Sequence, residues 1–135
     1  MLQFSLSNRA PVILQTEAAE CGLACLAMIA SYHGHKINLN GLRAQHAASL
    51  RGSTLADLIQ IADQLQLDSR PLRLELDHLT ELKLPCILHW DFNHFVVLTR
   101  VQQDRVTVHD PASGERDLAL ADFSKHFTGI ALELM

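Results

Sequence analysis

The sequence predicts an α+β domain in which helices come first and antiparallel strands follow. Three observations carry that prediction. Apolar residues recur at helical spacing from Glu20 to about Gln66. From Ser69 onward they condense into short runs of strand length, several of them rich in β-branched residues. The length of 135 residues, with 48% apolar and 19% charged side chains, suits a single domain, residues 1–135, built on one hydrophobic core.

The elements follow in order. ECGLACLAMIASYHG, from Glu20, carries Leu23, Leu26, Ala27, Ala30 and Tyr32 near one stripe, widened by Met28 and Ile29. A helix this apolar all round is expected to be buried, and Gly34 is its stop signal. A short second helix is expected from Leu39 to about Ser49, with Asn38 as N-cap. Ser53 or Thr54 opens a third, Thr54–Gln66, with Leu55, Leu58, Ile59, Ala62 and Leu65 at helical spacing. Strands are then expected at Ser69–Leu74, Pro85–Trp90, His94–Val101, Arg105–His109 and Glu115–Leu120. Gln102-Gln103-Asp104 is a hairpin turn, and Asp110-Pro111-Ala112-Ser113-Gly114 a second turn cluster. Ala121–His126 reads as one or two helical turns, and Phe127–Met135 as a final edge strand.

Composition excludes several classes. The formal net charge of -4 leaves no basic excess to displace counterions from a phosphate backbone, so nucleic acid is not an expected partner. Six Gly and four Pro exclude collagen-like and low-complexity chains. No run approaches the roughly 18 apolar residues of a membrane span, and the N-terminus lacks the basic and apolar regions of a secretory signal. A soluble, cytoplasmic domain with no membrane insertion of its own is expected. Its ending in the apolar run GIALELM hints at an expected continuation into something longer. Three cysteines, an odd number, make no disulfide framework and suit a reducing compartment in which a thiol is free to react.

One of those thiols stands apart. Cys21-Gly22 opens the apolar helix, with Gln15 a short step before it. A thiol attacks as the thiolate, and the unpaired N–H groups and positive dipole end of a helix start favour that form. The Cys21 N–H and the Gln15 side-chain amide are candidate donors to an oxyanion, and Gly22 would let a substrate backbone approach. Cys25 and Cys86 lie in apolar runs and read as small core residues. A proton-handling partner comes from the hairpin. If it is centred near Gln103, His94 and Asp110 sit on adjacent strands one diagonal step apart, so Asp110 can orient the His94 ring. His109, by alternation, points to the opposite face. His33, His35, His46, His78, His89 and His126 read as surface or half-buried residues. Zinc on Cys21 and Cys25 lacks two further ligands at short spacing, so neither a metal nor a cofactor is expected. Before His94, Trp90 or Phe92 is a candidate to narrow a cleft and Asn93 to line it, although both aromatics are equally suited to a core.

With Gln15, Cys21, His94 and Asp110 identified, the chain resembles the papain-like cysteine peptidase domain at the N-terminus of bacterial ABC exporters that process double-glycine leaders, the colicin V type most of all. QTEAAECGLACLAMIASYHG, RGSTLADLIQIADQL, LKLPCILHWDFNHFVVL and HDPASGER carry the resemblance, and FTGIALEL fits it. The resemblance implies a papain-like fold, helical half packed on sheet. It implies Cys21 as nucleophile, His94 as general base and acid, Asp110 as orienter and Gln15 as oxyanion donor. The reaction would be leader cleavage after a pair such as Gly-Gly, through a thioester. The partners would be the leader peptide of a bacteriocin or toxin precursor and the membrane and ATP-binding domains of the same exporter, on the cytoplasmic side of the inner membrane. A related domain lacking the nucleophile would only recruit cargo, and an acyl-transfer or deamidation domain would share these residues.

Overall fold

The computed structural model describes residues 9–35, 37–46 and 52–135. A single 3-10 turn, Ala18–Glu20, leads into helix α1, Cys21–Tyr32. Helices α2, Leu39–Gln45, and α3, Leu55–Gln64, follow. Local chemistry sets their ends. Asn38 accepts from the Gly41 N–H at 2.8 Å, and Thr54 and Asp57 form a reciprocal capping box at the start of α3. Gly34 ends α1 at φ +85°, a backbone conformation in which any side chain is strained. The expected continuation of α2 toward Ser49 lies outside the described residues.

The strands are β1 Ser69–Arg73, β2 Cys86–Trp90, β3 His94–Gln102, β4 Arg105–Asp110, β5 Gly114–Ala119 and β6 Phe127–Leu134. They form one antiparallel sheet in the order β1-β6-β2-β3-β4-β5. The last strand is therefore not at the edge, as the sequence suggested. It inserts between β1 and β2, and Ala131 to Leu134 are all buried, Glu133 included, because it is a central strand.

The sheet is apolar on both faces, which gives two cores. One lies under the helices, where Ile87, Phe95, Val97, Leu132 and Leu134 meet α1 and α3. Cys21 to Ala30 of α1 are all buried in it. The other lies behind, where Leu88, Trp90, Val96, Leu98, Val106 and Val108 pack under Leu79, Leu82 and Phe123. Its cover comes from a 3-10 segment, Leu76–Glu81, which no sequence signal marked, and from the short helix α4, Leu120–Phe123.

The β3–β4 hairpin contains an irregularity that positions the site. Near the turn Gln102 pairs with Arg105 and Arg100 with Thr107, but beyond Thr99 Leu98 pairs with Val108 and Val97 with His109. Thr99 is one extra residue in β3, and its hydroxyl donates to the Thr107 carbonyl at 3.2 Å. The consequence is parity. Had regular pairing continued from the turn, Asp110 would face Val97 and His94 would project from the other side of the sheet. With the bulge, the register carried one residue further sets Asp110 opposite Val96, so His94 and Asp110 share a face.

Candidate active site

Cys21 is the first residue of α1 and is only 4% exposed. The 3-10 turn before it places it one turn into the helical run, slightly deeper than a true helix start. Its Sγ faces the Asn93 carbonyl at 4.0 Å, across the turn joining β2 and β3.

His94, the next residue, opens β3. Its Nε2 donates to Asp110 Oδ1 at 2.6 Å. Because Asp110 takes Nε2, the nitrogen left for exchange with the Cys21 thiol is Nδ1. Burial by itself would lower the His94 pKa. The hydrogen bonds and charges of Asp110 and Cys21 outweigh it and raise the imidazole from 6.5 to about 9. Asp110 is lowered from its usual value: burial opposes this, but hydrogen bonds from His94 and from the Ala112 N–H, and the charges of His94 and Arg116, prevail. The Ala112 bond is 2.9 Å long, and Arg116 Nη1 stands 3.8 Å from the second carboxylate oxygen. A poised imidazolium beside a thiol is the arrangement of nucleophilic catalysis. Cys25, one turn below, and Cys86, in β2, are raised well above an ordinary thiol by burial and are not nucleophiles at neutral pH.

Gln15 arrives on an extended N-terminal strap. Its backbone N–H donates to the Pro111 carbonyl at 2.9 Å, directly after Asp110. His109, on the face away from Asp110, holds the strap's other end through the Pro11 carbonyl at 3.0 Å and is itself held by Glu115. The Gln15 amide nitrogen donates to the Glu17 carbonyl at 3.1 Å, which leaves its second hydrogen unassigned, and the amide oxygen is buried without a partner. Among the described residues no group of three His, Cys, Asp or Glu side chains could hold a metal ion.

A family model described as the Peptidase C39 family matches residues 9–135. The chain belongs to the peptidase C39 family. It is 56% identical over 127 residues to the probable microcin-H47 secretion/processing ATP-binding protein MchF, and 53% identical over 134 residues to the colicin V secretion/processing ATP-binding protein CvaB, both of Escherichia coli. These matches cover 94% and 99% of this chain but only 18% and 19% of the two relatives. A solved double glycine motif protease from an AMS/PCAT transporter, in complex with its leader peptide, is 36% identical, with a TM-score of 0.88 over 95% of this chain and 92% of that one. The peptidase domain of Streptococcus ComA, at 22% identity and a TM-score of 0.85, covers 93% of this chain and 98% of its own and shares the fold. The papain-like α+β fold read from the sequence is therefore the fold of this C39 domain.

The four residues expected to line the substrate cleft separate. Trp90 is not a cleft residue: it is 2% exposed in the rear core, stacked on His126 at 5.1 Å and edge-on to Phe123. At Gly22 a Cβ would lie 2.8 Å from Leu58 Cδ2, so the missing side chain allows the close approach of α3 to α1. Phe92, 95% exposed, and Asn93 both lie on the turn beside Cys21. Two histidines read as unremarkable hold that turn. His89 Nε2 bonds the Phe92 carbonyl at 3.0 Å, and His126 Nδ1 bonds Asp91 at 2.9 Å. Their partners lie across strands and turns, where periodicity gives no signal.

Proposed function

We propose that this C39 domain is a cysteine endopeptidase that removes double-glycine-type leaders from bacteriocin or toxin precursors. The observation that carries the reading is the Cys21, His94 and Asp110 relay, with His94 Nε2 held at 2.6 Å by Asp110. Cys21 attacks, as thiolate, the carbonyl carbon of the last leader residue. The oxyanion formed takes hydrogen bonds from the Cys21 N–H and the second Gln15 amide hydrogen, a type of contact worth about a hundredfold or more in rate. The tetrahedral species collapses, the C–N bond breaks, and His94 Nδ1 gives its proton to the departing amine. Water then attacks the thioester while His94 accepts its proton, and collapse frees the leader's carboxylate and regenerates the thiolate. Asp110 keeps Nε2–H occupied throughout, so Nδ1 alone exchanges protons.

Substrate choice follows from crowding. Glycines lack side chains, so a narrow cleft admits them and rejects larger residues by clash. Phe92 and Asn93, on the turn that faces Cys21, are the proposed wall. The likeness to exporters implies that the precursor reaches this domain as part of a larger transporter, with membrane and ATP-binding domains as partners on the cytoplasmic side. No helix among the described residues is long and apolar enough to cross a membrane.

The test is mass spectrometry of a leader–toxin precursor incubated with the domain. Wild type releases the leader after Gly-Gly, and a thiol alkylator stops it. Cys21→Ala abolishes cleavage with an unchanged circular dichroism spectrum, and retained cleavage would remove the assignment. In the same assay Phe92→Ala is expected to narrow the preference for Gly-Gly over Ala-Ala leaders. Unchanged selectivity takes Phe92 out of the wall.

A further inference from the structure

Next to the nucleophile lies a buried charge that the mechanism above does not use. Glu20 is 1% exposed and immediately precedes Cys21. Its Oε1 accepts from the Thr16 hydroxyl at 2.7 Å, the Thr16 N–H at 3.1 Å, the Glu17 N–H at 3.3 Å and Arg43 Nη2 at 3.0 Å. Its Oε2 takes Arg43 Nε. Arg43 comes from α2, steadied there by Asn40 at 2.6 Å, and its Nη2 also reaches the Thr16 hydroxyl at 3.0 Å. Thr16 thus donates to the carboxylate and accepts from the guanidinium, which closes a ring of Glu20, Arg43 and Thr16. Arg43 so strongly favours the carboxylate that the Glu20 pKa falls from 4.5 to about 2, burial notwithstanding. The residues this ring fixes are Thr16 and Glu17, the neighbour of Gln15 and the acceptor of its side chain.

We propose that Glu20 and Arg43 are positioning residues for peptide cleavage, holding the Gln15–Glu17 turn so that the Gln15 amide is set for the oxyanion before substrate arrives. The proposal rests on the peptidase reading above. A buried ion pair of this kind is a costly way to gain stability. Here it lies between the nucleophile and the oxyanion donor and fixes one relative to the other.

The ring acts only through Gln15, so its loss mimics loss of Gln15 and nothing more. The experiment is a double-mutant cycle on a synthetic Gly-Gly leader peptide. Thr16→Val, Arg43→Lys and Arg43→Met are each made alone and with Gln15→Ala. Arg43→Met is expected to lower kcat about 10- to 100-fold, up to the value of a lost oxyanion donor. KM stays within about twofold, as for an interaction made in the transition state. Arg43→Lys keeps the charge but cannot span Glu20 and Thr16 together, so its rate falls between. In the Gln15→Ala background each change adds little. Alkylation of Cys21 by iodoacetamide, located by mass spectrometry, forms no oxyanion and keeps its rate. Arg43→Met strands a buried carboxylate and is the variant at risk of unfolding; Arg43→Lys keeps a charge opposite Glu20 and makes the same test, while Thr16→Val removes only the hydroxyl's part in the ring.

Effects that multiply with Gln15→Ala, that fall on KM alone, or that slow alkylation in step with kcat overturn the positioning role. So does a Gln15→Ala that cleaves at the wild-type rate. If Cys21→Ala itself still cleaves, it is the peptidase reading that fails.

Discussion

His94 meets opposing influences, and in the proposed mechanism their balance sets the pH range of the reaction. Burial favours the neutral ring, while Asp110 and Cys21 favour the imidazolium and carry the pKa to about 9. In the proposed mechanism the departing amine takes the proton on Nδ1. The rate is therefore expected to fall near pH 9 as His94 deprotonates. Asp110→Asn removes the negative charge that raises the imidazole and weakens the hydrogen bond to it, so the falling limb of kcat/KM against pH moves to lower pH. A limb that stays where it was disproves the coupling. The same shifts act on stability. The His94 contribution is whole below pH 6.5 and is lost as pH rises through about 9, whereas that of Asp110 is whole above 3.8 and is lost as acid protonates it. At this scale much was legible in the sequence. Cys21 announces itself by opening an apolar helix, and the two other thiols by lying inside apolar runs. Glu20 and Arg43 were not legible, because a charged residue in a polar stretch looks the same whether it meets water or a partner 23 residues away.

Helix α1 owes its place to its composition and its closest contact to one missing side chain. Its residues from Cys21 to Ala30 are buried because no polar stripe could face water. Gly22 lets Leu58 of α3 come where a Cβ would stand, at 2.8 Å. Gly22→Ala is expected to cost about 1–3 kcal/mol in urea unfolding, the usual range for overpacking a core. Combined with Leu58→Ala it costs less than the two separate losses together, since the clash is gone. If Gly22→Ala stops cleavage at unchanged stability, the glycine belongs to substrate approach after all. The helix ends were readable from Asn38, Thr54 and Gly34, whose chemistry is local. The 3-10 segment Leu76–Glu81 was not, because its shape follows from covering the rear core rather than from its own period.

At the scale of the whole molecule, the site is a meeting of distant parts. The strap delivers Gln15 to the Pro111 carbonyl, α1 delivers Cys21, and two neighbouring strands deliver His94 and Asp110. Strand β6 completes the sheet from inside, between β1 and β2, so the end of the described chain is also part of its core. Local order, the alternation of helix and strand period, the caps and the place of Cys21 at a helix start are properties of neighbours in the chain, and the sequence by itself determined them. It also determined that His94 and Asp110 flank one hairpin. Which side of the sheet each would face was decided by the tertiary structure alone. The turn at Gln103-Asp104 sets one parity and the extra residue Thr99 reverses it, and a bulge forms only when both strands are paired. The same is true of Trp90, sent to the rear core by its place on β2, and of Gly22, claimed by Leu58 from another helix. Chain order fixes what a residue can do, but only packing brings together residues far apart in sequence and so decides what each one meets.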